Sequence, residues 1–148
     1  MSRNTEKPNS KEIDAWVKKN LNTSVYKFIN RGTIDDPIVE AKPAWVLPFQ
    51  ILLGKIRAKS HPEKFTWVIC GDLPTDYVES SVASTPKEVA RHFSFKWQLT
   101  ASKFQDKNIE QPPSQIAQDD VAKNLISHAE ALYELVENEH LWQLPDNT

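Results

Sequence analysis

The stretch Phe65–Val78, FTWVICGDLPTDYV, decides the fold. Its first half alternates, with Phe65, Trp67 and Ile69 on one side and Thr66, Val68 and Cys70 on the other. That is the period of a strand whose successive side chains point to opposite faces. At Gly71 the alternation stops, and Asp72-Leu73-Pro74-Thr75-Asp76 has the chemistry of a turn. Aspartate side chains accept from backbone amides two or three residues on, and proline presets φ. Asp76 also suits the cap of a short helical turn containing Tyr77 and Val78.

Outward from this stretch the elements fall into order. On its N-terminal side, Pro37–Lys59 holds Ile, Val, Trp and Phe in short runs broken by Pro43, Pro48 and Gly54. Those punctuators exclude a helix. They predict an irregular edge strand over 38–47 and a second strand over 49–59, whose end Lys55-Ile56-Arg57-Ala58-Lys59 alternates polar with apolar. Ser60-His61-Pro62-Glu63 then reads as a turn. Short connections make an antiparallel meander the natural arrangement.

Helices flank this core. Asn9 or Ser10 caps the first, because a short polar side chain accepts from the free amides of a first turn. Ile13, Trp16, Val17, Leu21, Val25, Phe28 and Ile29 follow at helical spacing, and Gly32 suits its C-terminal cap. Downstream, Thr85-Pro86-Lys87-Glu88 places a hydroxyl at the cap, proline at the first helical position and glutamate three residues after the cap. The second helix runs to about Lys107 on a stripe of Val89, Phe93, Trp97, Ala101 and Phe104. Gln111–Ser114 reads as a polar hinge. A last helix over 115–139 carries Ala122, Leu125, Ala129, Leu132 and Val136. The fold class predicted is α+β: an N-terminal helix, a three-stranded antiparallel meander and two C-terminal helices on one face of the sheet. One domain over 9–145 is expected, between mobile tails at 1–8 and 146–148.

Composition narrows the chemistry. With 148 residues, five Trp and six Phe, the chain fills a core without disulfide or metal, and its lone Cys70 forms no internal disulfide. Net charge is −2, from 18 basic and 20 acidic residues of mixed order. No basic stripe suggests nucleic acid or an anionic membrane. Residues 1–16 lack the apolar segment of a signal peptide, and no apolar run approaches the ~20 residues of a membrane span. A cytoplasmic protein is expected, monomeric or a weak homodimer. Three scattered glycines exclude a phosphate-cradling loop, and no nucleophile elbow or zinc-protease helix occurs. Neither a cofactor nor a metal is expected.

One candidate site remains. Asp72 and Asp76 lie four residues apart around a proline, where two carboxylates suit a hard cation or a division of acid and base roles. Thr75 lies between them, and the second helix adds Arg91 and His92. The plainer reading is structural, with both aspartates serving the turn and Arg91 pinning the helix to it.

The residues Trp67-x-x-x-Gly71-Asp72-x-Pro74-Thr75-Asp76, followed by Arg91-x-Phe93-x-x-x-Trp97-Gln98, resemble a family of small bacterial proteins of unknown function over about residues 10–105. The resemblance implies a cytoplasmic bacterial protein with the loop and second helix as its signature, and it carries no activity to transfer. The function expected is therefore that of a non-enzymatic domain binding a protein or small ligand through the 71–77 loop and the start of the second helix. The alternatives are a hydrolase using Asp72 and Asp76 with His92, and a small immunity or adaptor protein. An adaptor requires an exposed apolar patch; Leu141-Trp142 either packs back on the domain or docks into a partner.

Overall fold

The computed structural model describes residues 9–30, 38–59, 64–107 and 112–142. The Gly32 cap, the 60–63 turn and both tails lie outside them. The chain divides into two compact units, Met1–Ser81 and Val82–Thr148.

The first unit is helix α1 (Ser10–Asn30) with strands β1 (Ile38–Leu47), β2 (Ile51–Ala58), β3 (Thr66–Gly71) and β4 (Asp76–Glu79). Asn9 is the cap of α1. Its Oδ1 accepts from the Glu12 amide at 2.8 Å, while its own amide donates to Glu12 Oε1 at 3.3 Å. This reciprocal box satisfies two amides that a helix start leaves without partners.

The strands form one antiparallel sheet in chain order, β1-β2-β3-β4. Four strands replace the three expected. The fourth holds Asp76, Tyr77, Val78 and Glu79 against Ile69, Val68, Trp67 and Thr66. A strand of four residues just past a proline is too short to show alternation, so it read as loop. It also overturns the short helical turn suggested for Tyr77 and Val78. The edge character of β1 is as expected, with Pro43 opposite Gly54 and register shifts at Ile38/Glu40 and Pro43/Trp45. Proline donates nothing to a ladder and is tolerated at such an edge. The β1–β2 turn closes through the Gln50 amide on the Leu47 carbonyl at 2.9 Å. Phe49 there takes φ 64°, and its ring lies 5.7 Å from that of Trp16.

The register confirms the alternation of β3. Val68 and Cys70 face α1 with Leu52 and Ile56, and Leu21 and Phe28 of α1 close this core. A Cβ on Gly54 would stand 2.9 Å from Leu21 Cδ2 and 3.1 Å from the Lys42 carbonyl oxygen, so the missing side chain is what lets the helix approach. The apolar stripe of α1 departs from expectation at one end. Ile29 is exposed, while Ser24 is buried with its hydroxyl donating to the Asn20 carbonyl at 2.9 Å.

The second unit comprises α2 (Pro86–Lys107), α3 (Pro112–Glu137) and the single turn α4 (Glu139–Trp142). Val89, Phe93, Trp97 and Ala101 of α2 are buried, as are Ala129, Leu132 and Val136 of α3. The side chains of Phe104 and Ala122 lie outside those described. The expected hinge is corrected in part: Pro112 is already helical, since prolines in a first turn remove only amides that have no helical partner. The last helix also ends earlier than expected, at Glu137. The Leu135 carbonyl there accepts from the Asn138 amide at 3.1 Å and from the Trp142 indole at 2.9 Å. Trp142 thus packs back on α3 and serves its C-terminal end.

Thr85 caps α2 through the Glu88 amide at 3.1 Å. Glu88 itself reaches one residue further back, accepting from both the Ser84 amide and the Ser84 hydroxyl at 2.9 Å. These donors, the Ser84 amide first, hold its carboxyl below its ordinary value. The stability contributed is therefore complete above about pH 4.3, where the group ionises in an unfolded chain. It is lost as pH falls through the lowered folded value. Glu88→Gln is expected to melt below the parent at neutral pH, with the gap closing on acidification. Thermal midpoints across a pH series test this, and a gap that stays constant would contradict it.

Candidate functional site

The 71–77 loop is built around Gly71. Its φ is 121°, a region open to glycine and strained for any residue with a Cβ. A Cβ there would also lie 2.6 Å from the Gln50 carbonyl oxygen. That oxygen accepts from the Asp72 amide at 2.8 Å, so the backbone is fastened to the start of β2 just as the loop begins.

The five candidate residues have separate surroundings. Asp72 is exposed, and its carboxylate has no hydrogen-bond or ion-pair partner among the described residues. Thr75 is half-buried. Asp76 opens β4 on the face that also carries Ile69 and Trp67, and its Oδ1 accepts from the Tyr77 amide at 2.8 Å. A local backbone bond thus occupies one oxygen of the second carboxylate. Arg91 belongs to the second unit, where its guanidinium lies 3.9 Å from Glu137 Oε2 of α3. Its neighbour His92, half-buried, has its ring 6.3 Å from that of Phe93. Among the described residues no three His, Cys, Asp or Glu side chains converge as a metal centre requires.

Tyr77 is a residue that sequence reasoning passed over. It pairs with Val68 across the ladder and meets Phe28 of α1 edge-on at 5.2 Å, yet stays 40% exposed. The loop thus ends in an aromatic side chain braced from below and open above. An aromatic two residues before the next turn signal was the available clue.

Two clefts lie elsewhere in the first unit. One, of about 400 Å³, is lined by Ile56, Lys64, Phe65, Thr66 and Glu79 at the end of β3 remote from Gly71. The other, of about 290 Å³, runs between Asp14, Val17, Lys18 and Leu21 of α1 and Ala41 and Pro43 of β1. Neither includes the loop. On the face opposite α1, the Lys55 ammonium lies 4.5 Å from the Phe65 ring and 5.1 Å from the Trp67 ring. Cation–π contact of this kind holds a strand lysine in place.

Cys70 is buried facing α1, its sulfur 3.8 Å from the Asn20 carbonyl oxygen. Burial pushes the thiol up, against smaller opposing effects of Ser24 and Lys27. A thiol kept protonated and out of reach is a poor nucleophile. No helix among the described residues is long and apolar enough to cross a membrane.

Fold and loop together define an α+β protein in which a sequential meander under one helix is followed by a helical hairpin. Within that class the chain belongs to the family described as Domain of unknown function (DUF4826), whose model matches residues 10–142. The match extends through the last helix, beyond the span carried by the loop and second-helix motifs. No curated protein and no solved structure matches the chain.

Proposed function

We propose that the chain is a non-enzymatic binding domain whose 71–77 loop recognises a protein partner carrying a cationic or hydrogen-bond-donating group. The observation that supports this is the state of Asp72. Its backbone is anchored on Gln50 behind a positive-φ glycine, while its carboxylate is exposed without a partner among the described residues. A charge displayed from a rigid support is pre-organised for recognition, because little freedom remains to be lost on binding. Thr75 and the braced Tyr77 ring follow it on the same loop and supply a hydroxyl and an exposed aromatic, residue types common at interfaces. Arg91 and His92 form a second set of candidate contacts on the second unit. The loop motif as a family signature and a bacterial, cytoplasmic setting complete the proposal.

Quantitative co-purification with the parent and with Asp72→Lys tests it. The parent is expected to retain a partner that the variant loses at least tenfold. The thermal midpoint should stay unchanged, since an exposed carboxylate without partners contributes within about 0.5 kcal/mol. Equal retention by both forms, or retention by neither, would overturn the proposal.

A further inference from the structure

The cleft of about 400 Å³ at the end of β3 remote from Gly71 is built on one row of the sheet. Ile56, Thr66 and Glu79 are direct neighbours across β2, β3 and β4. Ile56 belongs to the core that α1 covers, and residues paired across a ladder share a face. All three therefore lie on the α1 side. The preceding row on that side is Gly54, Val68 and Tyr77, and there the Phe28 ring of α1 still meets Tyr77 edge-on. The helix ends two residues later, at Asn30. Beyond its end, the Ile56–Thr66–Glu79 row lines the cleft together with Ala58, Lys64 and Ser80.

The lining has an apolar part and a charged part. Ile56, 2% exposed, and Ala58 give an apolar floor along β2. Lys64 and Glu79, both exposed, set opposite charges on the same cleft. Neither has a hydrogen-bond or ion-pair partner among the described residues, and they do not pair with each other. Thr66 stands between them, directly across from Glu79 and two residues on from Lys64, with a hydroxyl that can donate or accept. Two opposite charges that share a cleft without neutralising each other select what enters it. A simple anion drawn to Lys64 meets the repulsion of Glu79, and a simple cation drawn to Glu79 meets that of Lys64. A ligand that carries both charges beside an apolar group satisfies the whole lining.

We propose that this cleft binds a free α-amino acid with an apolar side chain. The Lys64 ammonium and the Thr66 hydroxyl donate to its carboxylate, and the Glu79 carboxylate accepts from its ammonium. Its side chain lies on Ile56 and Ala58. Hydrogen bonds with both partners charged are the strong ones, and the volume lies in the range of about 300–1,000 Å³ usual for small-molecule sites. A peptide terminus supplies only one of the two charges, so the ligand is the free amino acid. The inference is independent of the 71–77 loop, which lies at the other end of β3.

Isothermal titration of the full chain with L-leucine and L-phenylalanine tests it. The parent is expected to bind at least one of them saturably in the millimolar range or tighter. Lys64→Met and Glu79→Gln should each weaken that binding at least about tenfold, the scale of one hydrogen bond to a charged group. Both side chains are exposed, so the thermal midpoints should not move. Blocked ligands then assign the two ends. The Nα-acetyl derivative has no ammonium and the amide has no carboxylate, and each should lose a similar factor against the parent. Glu79→Gln should no longer distinguish the free amino acid from its acetyl derivative, nor Lys64→Met the free amino acid from its amide. No saturable binding of either amino acid, or binding indifferent to both substitutions, would overturn the site. Equal binding of the free and acetylated forms by the parent would overturn the doubly charged ligand.

Discussion

Replacing Gly71 by alanine is expected to destabilise the protein by about 3 kcal/mol or more, well above the cost of the same change at Gly54. Two costs combine. Alanine at φ 121° is strained wherever it occurs. Its Cβ would also meet the Gln50 carbonyl oxygen at 2.6 Å and the Ile51 Cα at 3.3 Å. Both are backbone atoms, one in the β1–β2 turn and one at the first residue of β2, so no rotamer change relieves the clash. The chain must shift, and the Asp72–Gln50 hydrogen bond shifts with it. Gly54→Ala makes a useful comparison. The nearest atom there is the far end of the Leu21 side chain at 2.9 Å, with the Lys42 carbonyl oxygen at 3.1 Å and no positive φ to add strain, and the cost should fall to about 1–2 kcal/mol. Urea denaturation of the three forms measures both differences. If Gly71→Ala unfolded within 0.5 kcal/mol of the parent, the anchoring of the loop described above would be wrong.

Phe28→Ala should cost about 3–5 kcal/mol, a large share of the 5–15 kcal/mol that holds a typical domain folded. Phe28 is 1% exposed and belongs to the cluster that joins α1 to Leu52, Ile56, Val68 and Cys70. Its loss removes the transfer energy of a whole ring and leaves a cavity that strand backbones cannot collapse to fill. The ring of Tyr77 also loses its edge-on support. Beside the lower denaturation midpoint, Cys70 should become accessible to thiol reagents under native conditions, since α1 is what shields it. A variant as stable as the parent, with Cys70 still protected, would mean that α1 is held by something other than this cluster.

Several elements were legible in the chain because their signals are local. The Thr85 cap needs only a polar side chain and a glutamate three residues on, and the same polar chemistry narrowed the first cap to Asn9 or Ser10, of which the structure uses Asn9. The faces of β3 follow from alternation alone, and the proline in β1 marked an edge. Elements set by distant partners were not legible. β4 exists because β3 offers it a ladder, and nothing within four residues can announce that. The extension of α3 back to Pro112 depended on how its first turn is tolerated. Arg91 shows the same limit at the site. Helical spacing places it on α2, but only the packing of α3 shows that Glu137 is its neighbour. Asp72 and Asp76 are alike in sequence and separate in structure, one displayed at a bend and the other bonded to the first peptide of a strand.

Among the described residues the meander in strict chain order pairs no strand beyond β1 or β4, and an unpaired edge is a template on which a foreign strand can grow. Both ends are guarded here. β4 is only four residues long and its outer side is soon spent. β1 is long enough to be a hazard, yet it is interrupted twice in register and carries a proline that donates no hydrogen bond. Glu40 stands on it between Lys42 at 3.2 Å and Arg57 at 3.1 Å, so an approaching strand must bury a charged cluster. Fibrillar growth by strand addition is thereby opposed at both margins of the sheet, and concentrated solutions of this protein should resist amyloid formation.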